Sequence, residues 1–398
     1  MPEPLAPVLL VNGELETVTQ GRVSRGELLV KNGRIAALGK RLSATRGLRR
    51  IDLKGALVTP GLIDAHSHVG MLEDGLPSDG DFNESTDAMT PDVMALDAFR
   101  TSDVALREAA ESGVTAAFIM PGSANVIGGL CAIVKTFGLR YADYIVNAEA
   151  GFKMALGENP KRTHGGKGKR PITRMGIAAM IRQVFADAEA YAHKRTRLKK
   201  GDSAAPDLKL DSVARMLAGK LTCRCHAHRG FDMLAFMRIA DRHKFRYVFE
   251  HATEALEVMD ELAGRRIPIV FGPTFGSRGK IETHSKAWST PAAAAKAGVL
   301  CAITGDHSVT PLRHLCVYAA LAVRAGLSNA DALKTITINP AKILGVEKRL
   351  GSLEPGKDAD LVVWPGDPLD IRNAPTRVMI GGRWVDEHPV PTPALYRK

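Results

Sequence analysis

His66 and His68 stand two residues apart at the end of an apolar run, in Val58-Thr59-Pro60-Gly61-Leu62-Ile63-Asp64-Ala65-His66-Ser67-His68. Residues two apart on an extended chain share a face, so both imidazoles can be presented to one point in space. Such a pair can grip a metal ion, although an isolated His-x-His is also found as an uncoordinated strand end. The later chain repeats the pattern. Thr222-Cys223-Arg224-Cys225-His226-Ala227-His228 closes a second run with two histidines, and Phe245-Arg246-Tyr247-Val248-Phe249-Glu250-His251 closes a third with one. Val299-Leu300-Cys301-Ala302-Ile303-Thr304-Gly305-Asp306-His307 closes a fourth with a carboxylate. The chemistry this set could do is metal-assisted hydrolysis. A bound ion activates a water and polarises a carbonyl, and a base carries the proton.

Eight strand-like runs could position these residues: 62–66, 114–120, 129–135, 152–156, the runs ending at His226 and His251, 267–271 and 299–304. Helical patterns cover 92–112, 172–194, 232–243, 253–262, 291–297 and 311–325. Strand-helix alternation implies a parallel sheet. Eight units predict an α/β fold, a (β/α)8 TIM-type barrel whose active site lies beyond the carboxyl ends of its strands. The two ends of the chain read differently. Asn12-Gly13 and Asn32-Gly33 sit between apolar runs as hairpin turns, and 360–364 and 377–385 read as strands. A small composite β-sandwich domain is expected from 1–60 and 345–398, with the barrel spanning 61–344.

The ordered set of His-x-His, His226, His251 and Asp306 resembles the amidohydrolase superfamily of metal-dependent hydrolases, and looks closest to its imidazolonepropionase-like and prolidase-like branch. Asn339-Pro340-Ala341-Lys342-Ile343-Leu344-Gly345 and the stretch 351–361 resemble that superfamily's C-terminal signature. The resemblance implies that His66, His68, His226, His251 and Asp306 hold one or two divalent ions, zinc by default. Asp306 would also be the general base and acid. It further implies a carboxylated Lys153 bridging two metals, and a lysine between Phe152 and Met154 is unusual because burying an ammonium is costly. Glu158, already anionic, is the alternative ligand. His226 is taken as the ligand ahead of His228. His228 and Arg229 would touch substrate, Arg278 could clamp a carboxylate through its fork, and His307 could line the pocket. Glu250 should face the opposite side of its strand from His251. The function implied is a hydrolase of carbon–nitrogen bonds other than peptide bonds, acting on an amide, a cyclic amide or a dipeptide-like substrate. A heterocycle deaminase and a non-catalytic barrel scaffold are the alternatives.

The chain has 398 residues and a formal net charge of +11, with the basic excess in 161–170 and 193–200. Aromatics make up only 5% and do not interleave with these runs, so stacking on bases has little support. The loop 161–170 could cap the site and grip an acidic group of the substrate. No apolar stretch is long enough to span a bilayer, and Met1-Pro2-Glu3-Pro4 does not open a signal peptide. Five cysteines spread through the chain do not read as a disulfide framework. The expectation is a cytoplasmic homo-oligomer whose partner is a small-molecule amide, with neither nucleic acid nor membrane.

Overall fold

The computed structural model describes residues 5–43, 47–74, 76, 80–197 and 205–388. The end of the basic run 193–200 therefore lies outside the described residues. The chain begins with β1 (Val8–Glu16), β2 (Arg22–Lys31), β3 (Arg34–Gly39), β4 (Arg49–Asp52) and β5 (Leu57–Pro60). Asn32 and Gly33 make the tight β2–β3 turn with φ of 52° and 75°, the positive values that a type I′ turn demands. The other Asn-Gly is not a turn. Asn12-Gly13 lies inside β1, where the register with β2 shifts, so it forms a bulge. Asn12 is held there at φ 57° by its amide donating to Asp52 Oδ1 at 3.0 Å.

The middle of the chain supplies β6 (Leu62–Ser67), β7 (Val114–Ile119), β8 (Ile127–Lys135), β9 (Ile145–Ala155), β10 (Cys223–Ala227), β11 (Tyr247–His251), β12 (Ile269–Phe271) and β13 (Cys301–Ile303). They pair in chain order as one eight-stranded sheet. The sheet curls into a nearly closed barrel, bridged between its first and last strands by Thr304 Oγ1 donating to the His66 carbonyl at 2.8 Å and His68 N–H to the His307 carbonyl at 2.8 Å. All eight expected strands are present, but the wholly parallel arrangement needs correction. β8 runs antiparallel to both β7 and β9. The connections 120–126 and 136–144 are too short for crossover helices, so the chain turns back on itself there instead.

The helices are α1 (Val104–Glu111), α2 (Tyr141–Tyr144), α3 (Glu158–Gly165), α4 (Arg174–Thr196), α5 (Leu208–Leu217), α6 (Gly230–Ala240), α7 (Met259–Arg265), α8 (Thr290–Lys296), α9 (Leu315–Arg324), α10 (Asn329–Thr335) and α11 (Ile338–Leu344). Both faces of β7 and β8 are buried along their whole length, as expected of strands covered inside and out. Inside the barrel, Ile63, Ala116, Phe118, Cys131, Val248 and Val270 pack together and meet Ile338 and Leu344 of α11. Outside it, Phe152, Phe185, Phe236 and Phe249 fill the layer beneath α4 and α6.

After the barrel come β14 (Leu361–Trp364), β15 (Arg377–Ile380) and β16 (Arg383–Trp384). They join the first five strands in a second sheet, ordered β16-β15-β14-β5-β1-β2-β3 with β4 on β1. Both ends of the chain therefore build one sheet through the antiparallel pair β14–β5.

Candidate metal centre

Parallel strands bring the chemistry to one rim of the barrel. His66 lies in β6 with His68 just past its end, His226 lies in β10 with His228 just past its end, β11 ends on His251, and Asp306 follows β13. Their imidazoles converge. Ring centroids are 4.6 Å apart for His66 and His251, 4.4 Å for His226 and His251, and 5.5 Å for His66 and His68. Asp306 Oδ1 is 3.3 Å from His66 Nε2 and 3.5 Å from His68 Nε2, and its Oδ2 is 3.9 Å from His251 Nδ1. Two groups, His226-His228-His251 and His66-His251-Asp306, each have ligand atoms within 4.8 Å of one another. Both open into a cavity of about 650 Å³.

Hydrogen bonds decide which nitrogen faces that cavity. His68 Nδ1 lies 2.7 Å from the Met120 carbonyl and His251 Nδ1 2.7 Å from the Gly272 carbonyl. Carbonyls only accept, so each Nδ1 carries the proton and each Nε2 keeps its lone pair. His66 Nδ1 donates to the buried Glu250 carboxylate at 2.8 Å. Such outer partners fix ring orientation and raise ligand basicity. Burial pushes His68 and His228 down to about 3 and His226 and His251 well below the usual histidine range, so all four imidazoles are neutral. His66 is pushed down by burial and by Lys153, but Asp306 and Glu250 outweigh them and raise its pKa. Burial also pushes the Asp306 carboxyl up, yet His66, His251 and His68 hold it below the usual carboxylate range. Asp306 Oδ1 and His226 Nδ1 are buried without a hydrogen-bond partner among the described residues, and neutral lone pairs around a carboxylate are a donor set that suits a divalent cation.

The sequence signature of the Amidohydrolase family matches residues 280–385. The crystal structure of an amidohydrolase from Thermotoga maritima is 42% identical, covers 95% of this chain and 99% of that one, and superposes with a TM-score of 0.92. The chain belongs to the amidohydrolase superfamily. It is also 29% identical to amidohydrolase tasK of Hapsidospora irregularis, across 92% of this chain but 40% of that protein's length. It is 26% identical to an imidazolonepropionase of Sphingopyxis alaskensis, over 88% of this chain and 89% of that one.

The other expected site residues fall in different places. Lys153, on β9, is buried and pushed down in pKa by that burial, with its Nζ 3.0 Å from Met120 Sδ and no carboxylate at ion-pair distance among the described residues. Glu158 opens α3 and faces an adjoining cavity, where its carboxylate accepts from the Glu282 N–H at 3.3 Å. Glu158 belongs to neither of the two groups of close ligand atoms. His228 does line the main cavity, stacked 4.9 Å from His251, with Nδ1 2.7 Å from Thr253 Oγ1. Arg229 turns away to Glu254 at 3.1 Å and over the Phe231 ring. Arg278 is spent on the carbonyls of His284 and Lys286. His307 is fully buried, and neither of its ring nitrogens has a partner among the described residues.

Glu250 corrects the strand alternation. It lies inside the barrel, gripped by buried Arg224 and bonded to His66, although its neighbour His251 also faces the site. The break is visible in the backbone, since His251 has φ 68°, which turns its side chain off the pleat. Asp64 was also missed. It is buried, its pKa is raised to about 7 by that burial, and it accepts from His66 N–H and Gly305 N–H, tying the first strand end to the last. Phe82, from a loop and stacked 4.9 Å from His68, and Asn159, in the first turn of α3 and 3.5 Å from His226 Nε2, carry no periodic signal.

Proposed function

We propose that this amidohydrolase cleaves the C–N bond of a small amide, with His66, His68, His226, His251 and Asp306 holding a divalent ion, zinc by the chemistry of the donor set. The observation that carries the reading is Asp306. Its Oδ1 lies 3.3 and 3.5 Å from the Nε2 atoms of His66 and His68 and has no hydrogen-bond partner among the described residues. A cation there would lower the pKa of a water and polarise the carbonyl under attack. Asp306, kept ionised by the histidines, takes the water's proton and hands it to the departing nitrogen. The outer bonds of His66, His68 and His251 keep their rings fixed while that proton moves. His228 lines the cavity beside them and orients the substrate. Carboxylation of Lys153 would turn a buried ammonium, favoured only from a distance by Glu250 and Asp306, into an anion, which supports a second ion.

Hydrolysis is favoured over deamination because Glu250, the acid beside His251, is engaged by Arg224 and His66 rather than open to the cavity. The test is metal analysis of the purified chain with assays on N-acyl amino acids and their amides. At least one equivalent of zinc is expected, with turnover lost on chelation and regained on zinc addition. Asp306→Asn should lower kcat by about 10²–10⁴. Less than one equivalent of metal, and no loss on chelation, would leave only a scaffold.

A further inference from the structure

The cavity wall facing the histidines is basic. Arg162 of α3 and Lys280 and Lys286, both in the segment between β12 and α8, line it, and Asp306 is the only carboxylate that does so among the described residues. No carboxylate lies within ion-pair distance of any of these three cations among the described residues, whereas their basic neighbours are engaged. Arg174 pairs with Asp232 at 3.0 Å and Arg229 with Glu254 at 3.1 Å. Lys280 donates instead to Asn159 Oδ1, and Asn159 Nδ2 reaches to 3.5 Å from His226 Nε2. Lys286 donates to the Ser277 carbonyl at 3.4 Å. Lys280 thus stands one amide side chain away from the histidine cluster. Arg162 and Lys280 also line the adjoining cavity of about 580 Å³, so the space continues past them.

Burial and the charge of Lys280 push the Lys286 pKa down, and Arg162 lines the same concave wall, an arrangement that a bound anion relieves. A carboxylate or phosphate would meet a planar donor fork from Arg162 and two point charges from the lysines. We propose that the amide cleaved at this centre carries an anionic group, on the side of the scissile bond facing Arg162, Lys280 and Lys286, and that these three side chains bind it. The proposal rests on the hydrolase reading only for what is cleaved. The anion subsite stands on the cations themselves.

The test uses the full zinc-loaded chain. Calorimetry with succinate and with inorganic phosphate should show binding of at least one, and the tighter of the two identifies the group. The double variant K280Q/K286Q should weaken that binding at least tenfold, and the charge-keeping K280R/K286R should restore most of it. In assays on N-acetyl amino acids and their carboxamides, the acid-to-amide ratio of kcat/KM should exceed one and fall at least tenfold in K280Q/K286Q. Absence of binding by both anions, or affinity unchanged in K280Q/K286Q, would overturn the proposal. Turnover of neutral carboxamides without anion binding sinks the subsite and leaves the hydrolase. Anion binding that depends on the lysines, without turnover of any amide, keeps the subsite and sinks the hydrolase.

Discussion

Arg224 and Glu250 are the side chains on which His66 depends, and neither touches the cavity. Arg224 is buried in β10, where it grips Glu250, donates to the Ala65 carbonyl at 2.8 Å and lies 4.4 Å over the Phe118 ring. Burial pushes the Glu250 carboxyl up, but Arg224 and His66 more than offset this and keep it ionised. Glu250→Gln keeps the shape but removes the charge that holds the His66 proton on Nδ1, so zinc affinity should fall about 10–100-fold, and because it leaves buried Arg224 without its counter-charge, stability should fall as well. Competition with a chelator of known affinity measures the zinc affinity, and an unchanged value would mean that Glu250 does not orient His66. Arg224→Ala strands a buried carboxylate and should cost about 3–5 kcal/mol, read from urea unfolding. At this scale the two His-x-His pairs and Asp306 were legible because period-two spacing and strand ends are written in the sequence. Glu250 was not, because its place depends on a positive φ at the next residue that no residue type announces.

Among the elements, α1 is set by one carboxyl. Asp103 caps it, with Oδ1 accepting from Ala105 N–H at 3.0 Å and Oδ2 from Gly70 N–H at 2.8 Å. It therefore ties the helix to the loop after β6 that follows His68. Burial pushes its pKa up to about 6, against about 3.9 in the unfolded chain. The folded state thus holds this proton more tightly. The proton-linked part of Asp103's contribution is fully present below about pH 4 and is lost as pH rises through 6, while the cap bonds remain. Asp103→Ala should cost about 1–2 kcal/mol at pH 8 through the lost cap, and more at pH 5, with denaturant unfolding at both values as the measurement. An equal cost at both pH values would show that the carboxyl does not change its pKa on folding. Some helices were readable to within a few residues, since 172–194 became α4 and 232–243 became α6, but of the expected helix 92–112 only the end became α1, and neither α3 nor α5 was expected from the sequence. Strand direction was not readable. The patterns around 129–135 match either orientation, and only the shortness of 120–126 and 136–144 separates a hairpin from a crossover. Asn12-Gly13 likewise carries a hairpin sequence, yet pairing with β4 and β5 on the far side holds it in the strand.

For the whole molecule, the question is whether the two sheets stand alone. They share a core: Leu62, Leu106, Ala110 and Val114 of the barrel side pack in one cluster with Leu57, Val362, Trp364, Val378 and Ile380 of the other. Trp364 is buried in β14 and its indole N–H donates to Thr59 Oγ1 at 2.9 Å on the paired strand. Buried Lys135 of β8 is paired with Asp360 and lies 3.3 Å from Asp358, so a barrel strand is also bound ionically to the stretch leading into β14. Trp364→Ala removes the largest side chain at this junction and should cost about 3–5 kcal/mol. Because the lost contacts belong to both sheets, the variant should still unfold in one step, with circular dichroism, the fluorescence of Trp288 and Trp384, and loss of zinc sharing one midpoint shifted to lower urea. If the Trp384 signal moved to lower urea while zinc release stayed at the wild-type midpoint, the terminal sheet would be melting by itself, and the barrel would hold its metal-binding rim without that support.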